Sequence, residues 1–420
     1  MVRDTRSVCP VCLRNLPARL ASKPDGRIVL EKTCPAHGAF AVTVWRGKLD
    51  FDAWSAGSAP LDEGAGTGCP GNCGLCAEHE TLSCCVLLEV TRRCNLRCRF
   101  CFADGGQASD DPPREALESA IRDISARCAG PLLQLSGGEP TLRDDLPELV
   151  RAAKAAGCGY VQVNTNGLRL AREPDYAARL AEAGLDIVFL QFDGTNDTVY
   201  ERLRGAPLLA EKERAIEVCA SLGLGVTLVP TVVRGVNEGA LGEIVRFAAR
   251  HAPGVRGVHF QPVSYFGRFP GQPEPERYTL DELIHDLHEQ AGIPLNSFLP
   301  SRCDHPLCGF HAAFLIGEDG VLEPLTTARP PQGRSSAAEN RDYVARRWTR
   351  PSEGPRPAQA GGADFDSFLY RVRHESLTLS AMAFQDAGNL NIERLRRCSL
   401  HVYDGGAIKP FCARYLTPMT

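Results

Sequence analysis

Cysteine is the residue type whose spacing carries chemistry in this chain of 420 residues, which holds 18 of them. Cys94, Cys98 and Cys101 stand in the run Thr91-Arg-Arg-Cys94-Asn-Leu-Arg-Cys98-Arg-Phe-Cys101-Phe. Three thiolates at x3 and x2 spacing, with no fourth at short range, suit a [4Fe–4S] cube that leaves one iron without a protein ligand. An open coordination position is where a substrate or cofactor can bind. The same spacing recurs in Cys69-Pro-Gly-Asn-Cys73-Gly-Leu-Cys76, and Cys84 or Cys85 just beyond can close a second cluster, with His79 as a rival ligand. Cys303-Asp-His-Pro-Leu-Cys308 and the distant Cys398 and Cys412 form another set of four. Two knuckles, Cys9-Pro-Val-Cys12 and Cys34-Pro-Ala-His37, offer a Cys3His donor set, which suits tetrahedral zinc, with a mononuclear iron as the alternative. Cys128, Cys158 and Cys219 fall in or beside helical patterns, where thiols serve as packing.

These clusters read as metal sites because the rest of the chain is ordinary. It is 43% hydrophobic and 23% charged, the balance of a soluble globular enzyme. A chain this long builds its core without disulfides, and in a reducing compartment its thiols stay reduced. The formal charge of −4 and the absence of a long basic run argue against a nucleic-acid partner. No stretch approaches the ~18 apolar residues of a membrane-spanning helix. The segment Met1 to Ser7 has no apolar run behind it, so no signal peptide is expected and the cytoplasm is the expected location.

The elements that must position the cysteines lie mainly in the middle of the chain. Strands are expected at Val86–Val90, Leu132–Leu135, Tyr160–Val163, Ile187–Phe192, Val226–Val229 and Val258–Phe260. Helices are expected at Arg114–Cys128, Asp145–Ala156, Asp175–Ala183, Glu211–Leu222 and Glu238–Arg250, with Gly157, Gly184 and Gly223 just past three of them. Repeated βαβ units imply a parallel sheet, either a barrel or a doubly wound sheet. The expected division is a metal-knuckle region at 1–54, a linker and first auxiliary cluster at 55–83, a core at 84–263 and a C-terminal auxiliary-cluster region at 264–420. Ser55 to Gly68 reads as the linker, and Arg329 to Gly362, rich in Pro, Gly and Ser, as a mobile loop. The Cys94 loop follows the first strand. Ser136-Gly137-Gly138-Glu139-Pro140 follows the second, its glycines allowing close approach to a ligand. Asn164-Thr-Asn166-Gly167 follows the third strand and Gln191-Phe-Asp193-Gly194 ends the fourth, placing Asn166 and Asp193 where parallel sheets bind ligands, a turn role being the alternative for each.

The Cys-x3-Cys-x2-Cys run with Gly137-Gly138-Glu139 resembles the radical S-adenosylmethionine (SAM) superfamily. That resemblance implies an α/β fold built as a partial (β/α)6 TIM-like barrel. It also implies a cube on Cys94, Cys98 and Cys101 whose free iron is chelated by SAM, and reductive cleavage of SAM to a 5′-deoxyadenosyl radical. Phe100 is then placed beside the adenine, Glu139 near the SAM ammonium, and Asn166 and Asp193 in the SAM pocket. Over nearly the whole chain, the order of Lys32-Thr-Cys34-Pro-Ala-His37-Gly38, Gly68-Cys69-Pro, Cys73-Gly-Leu-Cys76, Glu89-Val-Thr91, Asp304-His-Pro-Leu-Cys308 and Pro410-Phe-Cys412 is similar to the tetraether lipid synthases and their relatives, the radical SAM pterin methylases. This second resemblance implies two auxiliary [4Fe–4S] clusters, one on Cys69, Cys73, Cys76 and Cys84 and one on Cys303, Cys308, Cys398 and Cys412, besides one mononuclear iron or zinc. His37 departs from it, standing where a fourth rubredoxin thiolate is sought. The implied activity is hydrogen abstraction from an sp3 carbon and carbon–carbon bond formation, by methylation or lipid-chain coupling. Its partners would be a small heterocyclic or lipid substrate, a reductant such as ferredoxin or flavodoxin, and at most a peripheral contact with membrane. The rival readings are a radical SAM peptide maturase, a non-catalytic iron–sulfur electron carrier and a zinc module for nucleic acid. The first lacks a peptide-docking domain in residues 1–50, the second has no use for Gly137-Gly138-Glu139, and net acidity weighs against the third.

Overall fold

Alternating burial in Asn15–Ser22, where Leu16, Ala18 and Leu20 point inward, is the period of a sheet with one covered face. The computed structural model, which describes residues 2–56, 66–71, 73–106, 110–271, 276–325, 334–351 and 365–419, pairs it in an antiparallel meander. The order is β1 (Val2–Val8), β2 (Asn15–Ser22), β3 (Ile28–Cys34) and β4 (Gly38–Trp45). Cys9 and Cys12 occupy the β1–β2 turn, Cys34 and His37 the β3–β4 turn. The ribbon docks on the C-terminal segment. Thr5 Oγ1 donates to Asn391 Oδ1 at 2.9 Å, and the buried Lys32 ammonium donates to Ser7 Oγ and to the carbonyls of Ala387 and Gly388 at 3.0, 3.0 and 2.8 Å.

The middle of the chain forms β5 (Cys85–Thr91), β6 (Leu132–Gly137), β7 (Tyr160–Thr165), β8 (Ile187–Gln191), β9 (Gly225–Val229), the short β10 (Thr231–Val232) and β11 (Val255–Pro262). Strands β5 to β9 and then β11 pair in parallel in chain order. Helices Arg114–Arg127, Leu146–Ala155, Pro174–Glu182, Leu209–Ser221 and Leu241–Arg250 fill the crossovers. The last shows why: Leu241, Ile244, Val245 and Ala248 recur at helical spacing and are all buried. Gly157, Gly184 and Gly223 stop three of them with φ of 88°, 94° and 75°, the left-handed conformation that closes helix ends. This is the partial barrel that the resemblance implied.

The sheet does not end with the six expected strands. The C-terminal part adds β12 (Leu299–Pro300), β13 (Gly309–Ile316), β14 (Leu322–Pro324), β15 (Ser376–Met382), β16 (Leu400–Asp404) and β17 (Ala407–Pro410). Strand β15 joins β11 and β16 joins β5, both in parallel, while β13 and β17 pair antiparallel outside them. The sheet therefore stays open, with the C-terminal region clasping both edges.

Of the linker expected at 55–68, residues 57–65 lie outside the described residues, and the expectation that changes is the mobile loop. Of the loop at 329–362, residues 329–333 and 352–362 lie outside them, but the stretch between holds the helix Ala337–Trp348. Ser336 and Glu339 form a reciprocal capping box at its start. Trp348 is buried against Leu132, Ile187, Phe189 and Val229, which closes the lower end of the half-barrel. The surrounding Pro, Gly and Ser hid it, because composition averages over a window while capping acts at single positions.

Candidate active site

The loop 92–106 leaves the upper end of β5 and carries Cys94, Cys98 and Cys101, all partly exposed, at one end of a cavity of about 630 Å³ inside the half-barrel. Backbone bonds hold it. Cys94 N–H donates to Gly106 O at 3.0 Å, and Cys101 and Arg268 exchange N–H···O bonds at 2.9 Å. The Arg268 side chain adds bonds to the carbonyls of Cys98 (2.9 Å) and Gly105 (3.1 Å). Burial pushes the Cys94 thiol up to about 12. Its ionisation therefore calls for a bound cation. Three thiols from one loop, facing one cavity and leaving one side open, fit a cube with three protein ligands.

Gly137 and Gly138 are required for a different reason from the one their motif suggested. A Cβ on Gly137 would lie 2.1 Å from Thr91 O, and one on Gly138 2.1 Å from Arg93 O. The close approach is thus between β6 and the root of the cysteine loop, sealed by Gly138 N–H to Thr91 O (2.8 Å) and Glu139 N–H to Arg93 O (2.7 Å). The buried Glu139 carboxylate accepts from Thr141 N–H (3.1 Å), Thr141 and Thr165 hydroxyls (both 2.6 Å) and Asn166 N–H (2.7 Å). It lines the cavity in one fixed orientation, with acceptor capacity left on Oε2. Asn166 lines it too, its Nδ2 donating to Asn95 Oδ1 at 2.7 Å.

Asp193 does not line the cavity. Its carboxylate is fully buried and held bidentate by Arg204, at 2.7 Å on each oxygen, with Thr231 N–H at 3.1 Å. The residue that reaches the site is Arg204, which sequence reading missed. Its Nη1 donates to Phe100 O at 3.3 Å, and its positive charge lies near enough the Cys98 sulfur to favour the thiolate there. Burial alone would lower its pKa, but Asp193 overrides this and holds it above the usual range. Phe100 packs on Val199, Leu203 and Val233. Lys212 is a second missed cation: it is fully buried, burial lowers its pKa to about 8, and it donates to Gln191 Oε1 at 3.0 Å and to Asn166 O.

Below the cysteine loop the cavity is lined by amides, rings and hydroxyls, among them Gln134, Gln162, Phe189, His259 and Gln261, down to Tyr343 and Trp348 of the floor helix. His259 Nδ1 lies 2.9 Å from Ser380 Oγ, and burial lowers His259 and His311 to about 4, so both imidazoles are neutral at physiological pH.

The remaining cysteines gather on the C-terminal side. Cys69 and Cys73 lie close enough to shift each other's ionisation, and Cys73 also feels the charges of Cys76 and Cys398. Cys412 in turn feels Cys308. Cys84 packs with Cys303 and Ala337, which places it beside the C-terminal set. N–H donors are aimed at three of these sulfurs: Asn340 Nδ2 at Cys84 (3.3 Å), Arg394 Nε at Cys308 (3.4 Å) and Gln385 N at Cys412 (3.3 Å). Donors pointed at buried sulfur fit thiolates held by iron. Cys84 and Cys85 both line the cavity, and the Cys85 thiol is directed at Gln134 Oε1 at 3.7 Å. His79 is half-buried, with its Nε2 at 2.8 Å from Cys398 O and 3.1 Å from His401 Nε2, so it is not a free surface histidine.

Cys9, Cys12, Cys34 and His37 bring four donor atoms within 4.8 Å of one another. Cys12 and Cys34 sulfurs are 3.9 Å apart, and His37 Nδ1 is 3.5 Å from the sulfurs of both Cys9 and Cys34. With Zn–S of about 2.3 Å and Zn–N of about 2.0–2.1 Å, a tetrahedron has edges of about 3.8 Å and about 3.5 Å. The four residues fit a single zinc ion. Metal analysis of the purified protein is expected to give about one zinc per chain. Cys12→Ala should bring it close to none and lower the melting temperature while leaving the iron count unchanged, whereas retained zinc would move the site elsewhere.

A parallel half-barrel with a three-cysteine loop over its upper end defines the radical SAM class, and the family model of that superfamily matches residues 88–248. A second model, the HMPTM N-terminal zinc ribbon domain, matches residues 1–46. The 7,8-dihydro-6-hydroxymethylpterin dimethyltransferase of Methanocaldococcus jannaschii is 32% identical to the chain, over 98% of this chain and 93% of its own length. The chain belongs to the radical SAM superfamily and, within it, to the family of that pterin methyltransferase. The probable GTP 3′,8-cyclase of Thermococcus kodakarensis is 34% identical over 39% of this chain, which spans about half (52%) of that relative. Among solved structures, methylornithine synthase superposes with a TM-score of 0.40 at 14% identity, covering 64% of this chain and 82% of that one. The chain is thus a radical SAM enzyme, with a [4Fe–4S] cluster, SAM and a further metal as its cofactors. No helix among the described residues is long and apolar enough to cross a membrane.

Proposed function

We propose that this enzyme methylates carbon on a reduced pterin, and that it uses two auxiliary [4Fe–4S] clusters besides the one on Cys94, Cys98 and Cys101. The observation that carries the reading is the chamber itself. Its walls set amides, neutral imidazoles and aromatic rings among aliphatic side chains, and polar groups at that depth suit a flat heterocycle better than a lipid chain. The M. jannaschii relative, whose name specifies a hydroxymethyl dihydropterin, supports the same choice. Bound here, the cluster and SAM together supply a primary carbon radical that takes hydrogen from an sp3 carbon. The chain's own residues do the rest. Glu139, fixed by four donors, presents its free acceptor capacity to the SAM ammonium, and Phe100 keeps its carbonyl beside the adenine. The floor helix closes the chamber from water. Cys69, Cys73 and Cys76 hold one auxiliary cluster with Cys398, whose charge reaches Cys73, as the fourth ligand, and Cys303, Cys308 and Cys412 hold the other with Cys84, which packs against Cys303. A ferredoxin or flavodoxin type of reductant delivers the electrons.

The test is anaerobic reconstitution with iron and sulfide, then incubation with SAM, dithionite and 7,8-dihydro-6-hydroxymethylpterin. Formation of 5′-deoxyadenosine that rises on adding the pterin, with label passing from the pterin or methyl donor into it, supports the reading. Stimulation by an isoprenoid or fatty-acyl lipid, but not by the pterin, would overturn it.

A further inference from the structure

The floor helix Ala337–Trp348 turns one face to the chamber, since Asn340, Tyr343, Val344 and Trp348 recur at helical spacing and all line it. The C-terminal end of that face meets rings: the Trp348 and Phe189 centroids are 5.4 Å apart, and those of Tyr343 and His311 5.6 Å. Its N-terminal end meets thiols. Ala337 packs with Cys84 and Cys303, and Asn340 Nδ2 donates to the Cys84 sulfur at 3.3 Å. An amide that gives its N–H2 to one group turns its oxygen away from that group. The Asn340 Oδ1 accepts from no described residue and is open to the chamber rather than sealed among buried atoms. Cys84 lines the same chamber, whereas Cys69, Cys73, Cys76 and Cys398 do not. One side chain thus stands between the space for a substrate and the thiol set of Cys84, Cys303, Cys308 and Cys412.

We propose that Asn340 is a positioning residue that couples the auxiliary cluster on Cys84 to the chamber, its amide oxygen taking a ring N–H of the substrate while its N–H2 donates to the Cys84 sulfur. The inference rests on the heterocyclic and auxiliary-cluster readings, and adds which cluster responds to the substrate and through which side chain. A hydrogen bond accepted by the amide oxygen polarises the amide and strengthens the bond that its N–H makes to sulfur. A stronger donor at sulfur stabilises the reduced, more negative cluster and raises its potential. Exclusion of water from the chamber acts the other way, because less polar surroundings disfavour the more negative state. Coupling through Asn340 is therefore an upward shift on binding. By linkage, the reduced enzyme then holds the substrate more tightly than the oxidised one.

The test is an EPR-monitored redox titration of the reconstituted holoenzyme and of Asn340→Leu, with and without 7,8-dihydro-6-hydroxymethylpterin. S-adenosylhomocysteine, which has no sulfonium to cleave, replaces SAM, and the signal of the Cys84 cluster is identified by its loss in Cys303→Ala. In the wild type the pterin should raise that midpoint by about 40 mV or more, equivalent to about fivefold tighter binding to the reduced state of a one-electron couple. Asn340→Leu should start from a lower midpoint and lose the shift, and the midpoint of the Cys69 set should not move. A merely structural Asn340 would change the melting temperature and leave both midpoints in place, which overturns the inference. A downward shift that persists in the variant is water exclusion, and overturns it too. If Asn340→Leu loses about four irons, Asn340→Ala is held to the same criterion, and the same loss there makes Asn340 a support for the cluster and overturns the coupling. About eight cluster irons in the wild type, with no signal that Cys303→Ala removes, overturns the auxiliary-cluster reading and the inference with it. A wild type that does not bind the pterin in equilibrium dialysis overturns the heterocyclic reading and the inference together.

Discussion

Replacing Cys98 by alanine is expected to reduce dithionite-dependent 5′-deoxyadenosine formation to background and to remove about four irons per chain, while zinc and the auxiliary clusters remain. Cys98 is the middle of three thiols on a loop whose backbone is pinned from outside by Arg268 and by the β6 turn. Removing one sulfur therefore leaves the loop in place and takes away only a ligand. Two remaining thiolates cannot hold a cube that must also leave an iron open. The auxiliary cysteines lie on the C-terminal side and do not depend on this loop. Iron counts and low-temperature EPR of wild type and variant check the first part, and a chromatographic assay for 5′-deoxyadenosine the second. A variant that still cleaves SAM would mean that the reactive cube sits on another cysteine set.

What could be read from the chain beforehand follows from how local each signal is. The cysteine runs, the helix-ending glycines and the alternation of strand and helix each lie within a few consecutive residues, so the half-barrel and the position of its reactive loop were legible. Contacts between distant segments were not. Asp193 reads as a ligand at the top of a strand, yet its partner Arg204 lies eleven residues on, in a helix that the polar run Asp197–Arg204 conceals. Lys212 sits among glutamates in Leu209–Ser221 and reads as part of a solvated face, but the crossover turns it under the Asn164–Gly167 turn. Strands β15 and β16 were invisible as barrel strands, since their partners β11 and β5 precede them by more than a hundred residues. Gly137 and Gly138 were recognised by type, while the reason they must be glycine, the carbonyls of Thr91 and Arg93, lies across a strand pair.

The Asp193–Arg204 pair gives the other large expected effect, and it separates stability from chemistry. Both side chains are buried, so removing one partner leaves a charge with neither water nor counter-ion. Asp193→Asn is expected to cost about 3–5 kcal/mol of unfolding free energy, seen as a lower denaturation midpoint. Replacing both, as Asp193→Leu with Arg204→Met, removes the two charges together, and most of that stability should return because buried pairs are often matched by apolar residues of similar size. Recovery should be incomplete, since Thr231 N–H loses its acceptor. SAM cleavage should not recover with it. In the double variant the Arg204 bond to Phe100 O is lost, so the adenine-side backbone is released, and a positive charge is removed from beside the Cys98 sulfur, which shifts the cluster potential. An EPR-monitored redox titration should show that shift in the double variant even though its fold is restored. If cleavage and potential both return with stability, Arg204 is only a strut beneath the loop. If stability returns alone, its guanidinium acts on the cluster directly.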